Sequence, residues 1–133
     1  MEVKKTSRKE IKMATLLVNT GRAIITNRLN SGGTIPQYVA WGTGAGTTSA
    51  TDTTLFTEVT PRVSGTVTQQ TTSTTNDTFQ VVATQTAGTT ETITNAGIFD
   101  ASTSGNLFVK GDFTGIALNN GDAIQFTFKV QFS

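Results

Sequence analysis

The sequence lacks cysteine and histidine altogether, and these two absences remove several classes of function. Without cysteine no disulfide can form, so the fold must depend on packing and hydrogen bonding. The absences also exclude Ser-His-Asp and Cys-His nucleophile pairs and the usual ligands of zinc and copper. A general base would have to be a carboxylate, a lysine or the single tyrosine. We therefore expect a protein that is not an enzyme and needs neither a cofactor nor a metal.

Charge is also scarce, because Asp, Glu, Lys and Arg together make up only 14% of the residues. Residues 1–12 are an exception and form a basic arm on a mildly acidic body. Such an arm is usually solvated, but it can contact an anionic partner surface. The arm has few charges and no interleaved aromatic side chain, so nucleic acid is not expected as a partner. Its candidate partner-contact residues are Lys4, Lys5, Arg8, Lys9 and Lys12.

Long apolar runs are missing as well. The longest mainly apolar stretch near the start covers residues 14–18 and is followed by the polar Asn19. This is far shorter than the roughly 20 residues that a membrane-spanning helix requires, so no membrane contact is expected. The length of 133 residues suits one domain of ordinary size.

The first thirty residues have a helical pattern. Ser7 and Glu10 match a capping box, and Gly32 and Gly33 supply a helix stop. Basic residues in the first turn of so long a helix would oppose its dipole. A shorter helix from about Ala14 to Leu29, after an irregular basic arm, is equally admissible. We expect residues 1–33 to form the arm and helix. The apolar positions at helical spacing are Ile11, Ala14, Leu17, Val18, Ile24, Ile25 and Leu29.

After Gly33 the composition changes to one that favours β-structure, with abundant threonine and recurrent valine. The clearest signal is "IQFTFKVQF" (124–132), which places apolar and polar side chains on opposite faces of a strand. Residues 34–133 are therefore predicted to form a mainly β domain, an antiparallel sandwich or barrel that is jelly-roll-like, preceded by one helix. About six strands are expected, in residues 36–42, 62–70, 78–86, 90–100, 106–113 and 124–132.

Residues 100–105, "DASTSG", copy the opening of a calcium loop, with oxygen-bearing side chains at alternate positions and glycine at the sixth. The twelfth position, where that loop needs a bidentate glutamate, is Gly111. The flanking residues also favour strands rather than helices. The segment is therefore better interpreted as a hairpin turn in which Asp and Ser side chains bond to local backbone amides.

Three other motifs are weak signals for chemistry. The glycines of "GTGAGTT" (42–48) lack both the spacing and the lysine of phosphate-binding loops, which favours an ordinary loop. Asp100, Asp112 and Asp122 adjoin predicted turns, and nothing pairs them as glycosidase acids. Tyr38 and Trp41 are three residues apart on a strand and should face opposite sides, so Trp41 is better assigned to the core than to a sugar platform.

Four blocks of the sequence, covering about residues 35–132, resemble small virion proteins of tailed bacteriophages. They are "PQYVAWGTG", "DTTLFTEV", "ITNAGIFDASTSGNLFVKGDF" and "LNNGDAIQFTFKV". Similar blocks occur in head-decoration (cement) proteins and in tail-fibre or baseplate attachment domains. The shared motif is structural, so the resemblance transfers no functional residue. The positions that resemble fold-defining ones are Gly97, Phe99, Asp100, Gly105 and Gly121.

The resemblance implies a structural protein of the phage particle, made in the host cytoplasm. A small domain that ends directly after its last strand favours a capsid decoration protein that binds and stabilises the head. The major capsid protein or another virion protein would then be its partner. By analogy it would be a homo-oligomer, with a trimer as the guess. The alternatives are an attachment protein of the tail fibre, baseplate or neck, a carbohydrate-binding module and, last, a small hydrolase.

Overall fold

The computed structural model describes the backbone of residues 2–5, 10–12 and 15–133, and the side chains of residues 15–133. This part of the chain forms one helix and ten strands, and several of the strands lie within the threonine- and valine-rich segments. Their bounds are β1 Glu2–Lys5, β2 Glu10–Lys12, β3 Leu16–Leu17, α1 Asn19–Leu29, β4 Tyr38–Gly42, β5 Glu58–Ser64, β6 Thr66–Gln70, β7 Thr78–Thr86, β8 Glu91–Phe99, β9 Leu107–Leu118 and β10 Ala123–Gln131.

The strands form two five-stranded sheets, and neighbouring strands in both are antiparallel. The first sheet has the order β2-β1-β10-β7-β6, and the second has the order β3-β9-β8-β4-β5. The prediction of a mainly β, sandwich-like fold with one helix is confirmed. Over the described residues the two sheets stay separate, so the predicted alternative of a closed barrel is wrong.

One continuous run of residues contributes a strand to each of the two sheets. β5 ends at Ser64 in the second sheet, and β6 begins at Thr66 in the first. The residue between them is Gly65, whose amide donates to the carbonyl of Gln37 at 2.7 Å. A Cβ atom at this corner would lie 2.5 Å from a methyl carbon of Val81, so glycine is what allows the chain to turn here. The predicted strand 62–70 is thus two strands joined at a corner.

The main core lies between the two sheets. Trp41 on β4 contacts Phe126 on β10 across the layers, with ring centroids 6.1 Å apart, and Phe79 contacts Phe108 edge-to-face at 5.7 Å. The prediction that Trp41 is a core residue is confirmed, because its side chain is 1% exposed. The alternation predicted for the last strand is confirmed for its buried members Ile124, Phe126 and Phe128.

The helix predicted to begin near Ser7 is wrong. Glu10 lies in β2, and Leu16 and Leu17 pair with β9, so the backbone there is satisfied by a sheet ladder instead of helical bonds. The helix begins only at Asn19, after a buried Val18 with extended backbone. The shorter predicted helix, from about Ala14 to Leu29, ends at the correct residue but starts five residues too early.

The arm before the helix is also more regular than the sequence indicated. Glu2–Lys5 pairs with β10, and Glu10–Lys12 pairs with β1, so both segments extend the first sheet. The division into units 1–33 and 34–133 stays a prediction, although strand pairing connects residues of both ranges.

Candidate assembly surface

A groove of about 410 Å³ lies between the helix and the end of the first sheet. It is almost entirely apolar, although it opens to solvent. Leu29 is 81% exposed and Phe132 is 51% exposed, which is unusual for side chains of this size. Arg28 is the charged residue in the lining. The full lining is Ile24, Ile25, Arg28, Leu29, Ile35, Pro36, Val67, Phe79, Phe108 and Phe132.

The helix forms one wall of this groove because of a single glycine. Gly21 faces β9, and a Cβ atom there would lie 2.2 Å from the carbonyl oxygen of Phe108. The absence of that atom lets the helix pack closely on the strand, and Thr20 adds a hydrogen bond of 2.8 Å to the carbonyl of Leu107. Ile24 is thereby buried, while Leu29, at the end of the helix, stays exposed. Apolar contact with another molecule would cover what the fold leaves exposed.

A second feature is the segment of residues 43–57, here called the strap, which covers the outer face of the second sheet. Asn95 is buried on that face, and its side chain pairs with the backbone of Phe56 as a neighbouring strand would. The Phe56 amide donates to Asn95 Oδ1 at 3.0 Å, and Asn95 Nδ2 donates to the Phe56 carbonyl at 3.0 Å. Leu55 packs in the adjacent small core with Phe99 and Leu107.

Lys110 on β9 anchors the strap to the second sheet. Its side chain is 0% exposed, and its Nζ donates to Asp52 Oδ2 at 2.8 Å. The ammonium also lies 3.2 Å from the centroid of the Phe56 ring, in cation–π geometry. Burial opposes ionisation of Asp52, but the hydrogen bonds from Lys110 and from the Ser49 amide lower the pKa of its carboxyl overall. Hydrogen bonds from Thr48 lower the pKa of Asp112 in the same region. Lys110 and Asp52 therefore form an ion pair that anchors the strap.

A third feature is the turn between β8 and β9, which confirms the hairpin interpretation of residues 100–105. Asp100 Oδ1 accepts the Asn106 amide at 2.7 Å, which is the local carboxylate-to-backbone bond expected of such a turn. Arg62 on β5 also holds the turn, because its Nη1 donates to the carbonyls of Ala101 and Ser104 at 2.8 and 2.6 Å.

Arg62 links this turn to the edge of the second sheet. Its guanidinium pairs with both carboxylate oxygens of Glu58, at 2.8 and 3.1 Å. The same group lies 3.5 Å from the centroid of the Phe99 ring. One planar side chain thus fixes β5, β8 and the turn against each other, which a flexible ammonium would not do.

The five residues identified as fold-defining lie in two places. Gly97, Phe99, Asp100 and Gly105 belong to β8 and its turn, whereas Gly121 lies in the separate turn before β10. Gly105 and Gly121 have positive φ angles of 71° and 93°, where other residues are strained. A Cβ atom at Gly97 would lie 2.7 Å from the carbonyl oxygen of Val109. Their role in defining the fold across related proteins stays a prediction.

The five candidate partner-contact residues of the arm lie outside the described side chains. The backbone of Lys4, Lys5 and Lys12 belongs to β1 and β2, while Arg8 and Lys9 lie outside the described residues altogether. The structure therefore places three of the five positions on the first sheet. Their contact with a partner stays a prediction.

The sugar platform and the chemical sites considered from sequence have little structural support. Trp41 is buried between the sheets while Tyr38 packs on the outer face, so the two side chains face opposite sides as expected and form no platform. Over the described residues, no group of three His, Cys, Asp or Glu is placed to hold a metal ion. In the same part of the chain, no helix is both long and apolar enough to cross a membrane. The expectation that the protein is not an enzyme stays a prediction.

Sequence reasoning missed three features of these surfaces: Arg62, Lys110 and the groove. One available signal was Lys110 itself, a lone cation within the mainly apolar run "LFVKGDF", because a run without polar alternation indicates a strand that is buried on both faces. A buried lysine needs an anionic partner. Nothing in the sequence identified Asp52, 58 residues earlier, as that partner.

The comparison that decides the family is a match to a family model over residues 12–130. The model is described as podophage GP4 fiber I protein gp80. The chain belongs to this family. As a member of the gp80 family it is a structural protein of a phage virion, which confirms the broader part of the resemblance. The family gives no support for the narrower identification as a head-decoration protein. No curated protein and no solved structure gives a significant match to the chain.

Proposed function

We propose that this protein is a structural subunit of a podophage fibre. The observation that carries the proposal is the gp80-family match, which covers the helix and most strands of both sheets and bears a fibre protein's description. Two structural features support it. The exposed apolar groove offers a surface for assembly, and the buried Lys110 and Arg62 contacts stabilise a domain that has no disulfide.

This proposal favours the tail-fibre alternative over capsid decoration, the first expectation from sequence. A fibre subunit and a decoration protein differ in where they lie on the particle, so localisation tests both. Antibodies against the purified protein, detected with gold in electron micrographs of intact phage, should label fibres at the tail. Particles from a phage that lacks the gene should lose both the label and the fibres.

Each other outcome has a definite meaning. Gold distributed over the faces of the head would overturn the fibre proposal and support capsid decoration. Absence of label on every wild-type particle, with the protein detected only in infected cells, would contradict a virion role.

The predicted contact between the basic arm and a partner is best tested by removing the charges of the arm and not by deleting it. Removing residues 1–12 would remove two strands of the first sheet as well as the charges. Replacing Lys4, Lys5, Arg8, Lys9 and Lys12 by glutamine removes the five positive charges without deleting any residue. If the arm contacts an anionic partner, the amount of the protein on purified particles should fall about tenfold or more, which corresponds to a binding loss of about 1.4 kcal/mol. Lys129→Gln, on an exposed position of β10, is the control, and unchanged incorporation of the five-residue variant would contradict the contact.

A further inference from the structure

Over the described residues the two sheets end in four edge strands, and the sequences of these strands differ in how well they resist pairing with another strand. The edges are β2 and β6 in the first sheet, and β3 and β5 in the second. An unblocked edge exposes backbone donors and acceptors that a further strand can satisfy. The character of each edge therefore indicates where another chain can join.

Three of the four edges are poor templates. β3 has only two residues. β5 contains Pro61, which has no amide hydrogen to donate, and carries the charged residues Glu58 and Arg62. β2 has three residues, of which the first and last, Glu10 and Lys12, are charged. Short length, proline and charge are the means by which natural sheets discourage edge pairing.

β6 has none of these features. Its sequence TVTQQ contains no charge, proline or glycine, and it lies within residues 63–76, which carry no charge at all. Its pairing with β7 is continuous, from Thr66 opposite Val82 to Gln70 opposite Thr78, with no bulge. In an antiparallel pair, alternate residues direct their backbone N–H and C=O groups away from the partner. β6 thus presents a regular, uncharged ladder edge.

We propose that two copies of this chain pair antiparallel through β6, which joins their five-stranded sheets into one continuous sheet. The composition of the edge favours this occupant. Pairing about a two-fold axis at Thr68 places that residue opposite its own copy and Thr66 opposite Gln70. Such self-pairing suits an uncharged strand, because identical charges would otherwise meet near the axis. A charged partner segment would find no complementary charge here.

The adjoining groove supports the same arrangement. Val67 of β6 lines the groove together with the exposed Leu29 and Phe132, so the apolar surface continues up to the edge strand. Pairing at β6 would therefore be accompanied by burial of apolar area, which strand pairing of five residues alone would not supply. The proposal rests on the sheet edges and does not depend on the fibre function.

The test uses opposite charges at Thr68 in the full chain. Light scattering and sedimentation should give a mass of two copies for the wild type and one copy, 14.0 kDa, for Thr68→Lys and for Thr68→Glu separately. A mixture of the two variants should regain the two-copy mass, because lysine then faces glutamate across the axis. This rescue also shows that neither variant is simply unfolded.

Thr84→Lys is the matched control, since Thr84 is exposed on the interior strand β7, beyond the residues that pair with β6. It should retain the two-copy mass. The proposal is overturned if the wild type is monomeric at every concentration, if its mass exceeds two copies, if Thr68→Lys stays dimeric, or if the mixture stays monomeric.

Discussion

At the scale of single residues, two buried polar side chains on the outer face of the second sheet determine the position of the strap. Asn95 and Lys110 are fully buried there, and each finds its partners in the strap. Buried polar groups cost free energy unless they are hydrogen-bonded, so these contacts fix one position of the strap rather than many. The strap has no regular secondary structure of its own, yet its path is determined by residues of the sheet.

The ion pair between Lys110 and Asp52 predicts how variants of these two residues rank in stability. Asp52→Ala leaves a buried ammonium without its anion, and should lower the free energy of unfolding by about 3 kcal/mol. Lys110→Met keeps most of the volume and leaves only the partly exposed carboxylate of Asp52 unpaired, so it should cost less.

The double variant is the informative one. Asp52→Ala combined with Lys110→Met should be more stable than Asp52→Ala alone, because the unpaired charge is gone. Urea unfolding of the four proteins measures this, and strictly additive losses would contradict the ion-pair account.

Glycines offer a second prediction at this scale. Gly97→Ala would place a Cβ atom 2.7 Å from a backbone oxygen of Val109 and 3.0 Å from Leu55, so the strand or the strap must shift. We expect a loss of about 1–3 kcal/mol in thermal or urea unfolding. Gly88 is the matched control, because a Cβ atom there meets nothing within 4 Å. Gly88→Ala should be neutral or slightly stabilising, and equal losses at both positions would count against the packing argument.

At the scale of elements, Arg62 unites two strands and a turn that are distant in sequence. Arg62→Lys keeps the charge but loses the paired contact with Glu58 and the flat stacking on Phe99. We expect it to lower the free energy of unfolding by about 2 kcal/mol. Arg22→Lys, at an exposed helix position, should change stability by less than about 0.5 kcal/mol. Faster amide exchange in the 100–106 turn of the Arg62 variant would locate the effect, and an unchanged turn would contradict it.

The sequence predicted elements well where one physical signal dominated. β7 was predicted over residues 78–86 and has those bounds, because alternation and β-branched residues agree there. The segment 62–70 was predicted as one strand, since a corner at Gly65 leaves the alternation of Val63 and Val67 intact. The N-terminal helix failed for a related reason. Apolar residues at helical spacing cannot show that Leu16 and Leu17 find pairing partners on β9, at Lys110 and Val109.

The candidate surfaces were less predictable than the fold. Lys110, Asn95 and Arg62 each bond to a partner in the strap or the turn that is between 39 and 58 residues away, and sequence spacing carries no information on such contacts. The Asp100 turn was predictable because its partner, Asn106, is local. Local chemistry could thus be inferred, whereas tertiary pairing of polar groups could not.

For the whole molecule, the response to acid follows from three aspartates. Backbone amides, first that of Thr74 and then that of Thr72, hold the pKa of Asp77 far below its ordinary value, and the pKa values of Asp52 and Asp112 are lowered too. A carboxyl whose folded pKa lies below the unfolded value stabilises the fold above that unfolded value of about 4, and this contribution is lost as the pH falls through the folded pKa. Stability should therefore decline below about pH 4. With no histidine, it should vary little between about pH 5 and 8.

Asp77→Asn tests this at the level of the whole domain. The wild type should be more stable than the variant at neutral pH, and the difference should shrink as the pH falls below about 4. Glu91→Gln controls for the loss of one negative charge. A difference between wild type and Asp77→Asn that does not change with pH would rule out this origin of the acid response.

The corner at Gly65 has a mechanical consequence for how the two layers resist sliding past each other. Because one covalent run enters both layers, neither layer can slide along the other without pulling that run out of two ladders at once. Shear is therefore opposed by many hydrogen bonds loaded together, and not by bonds that break one after another.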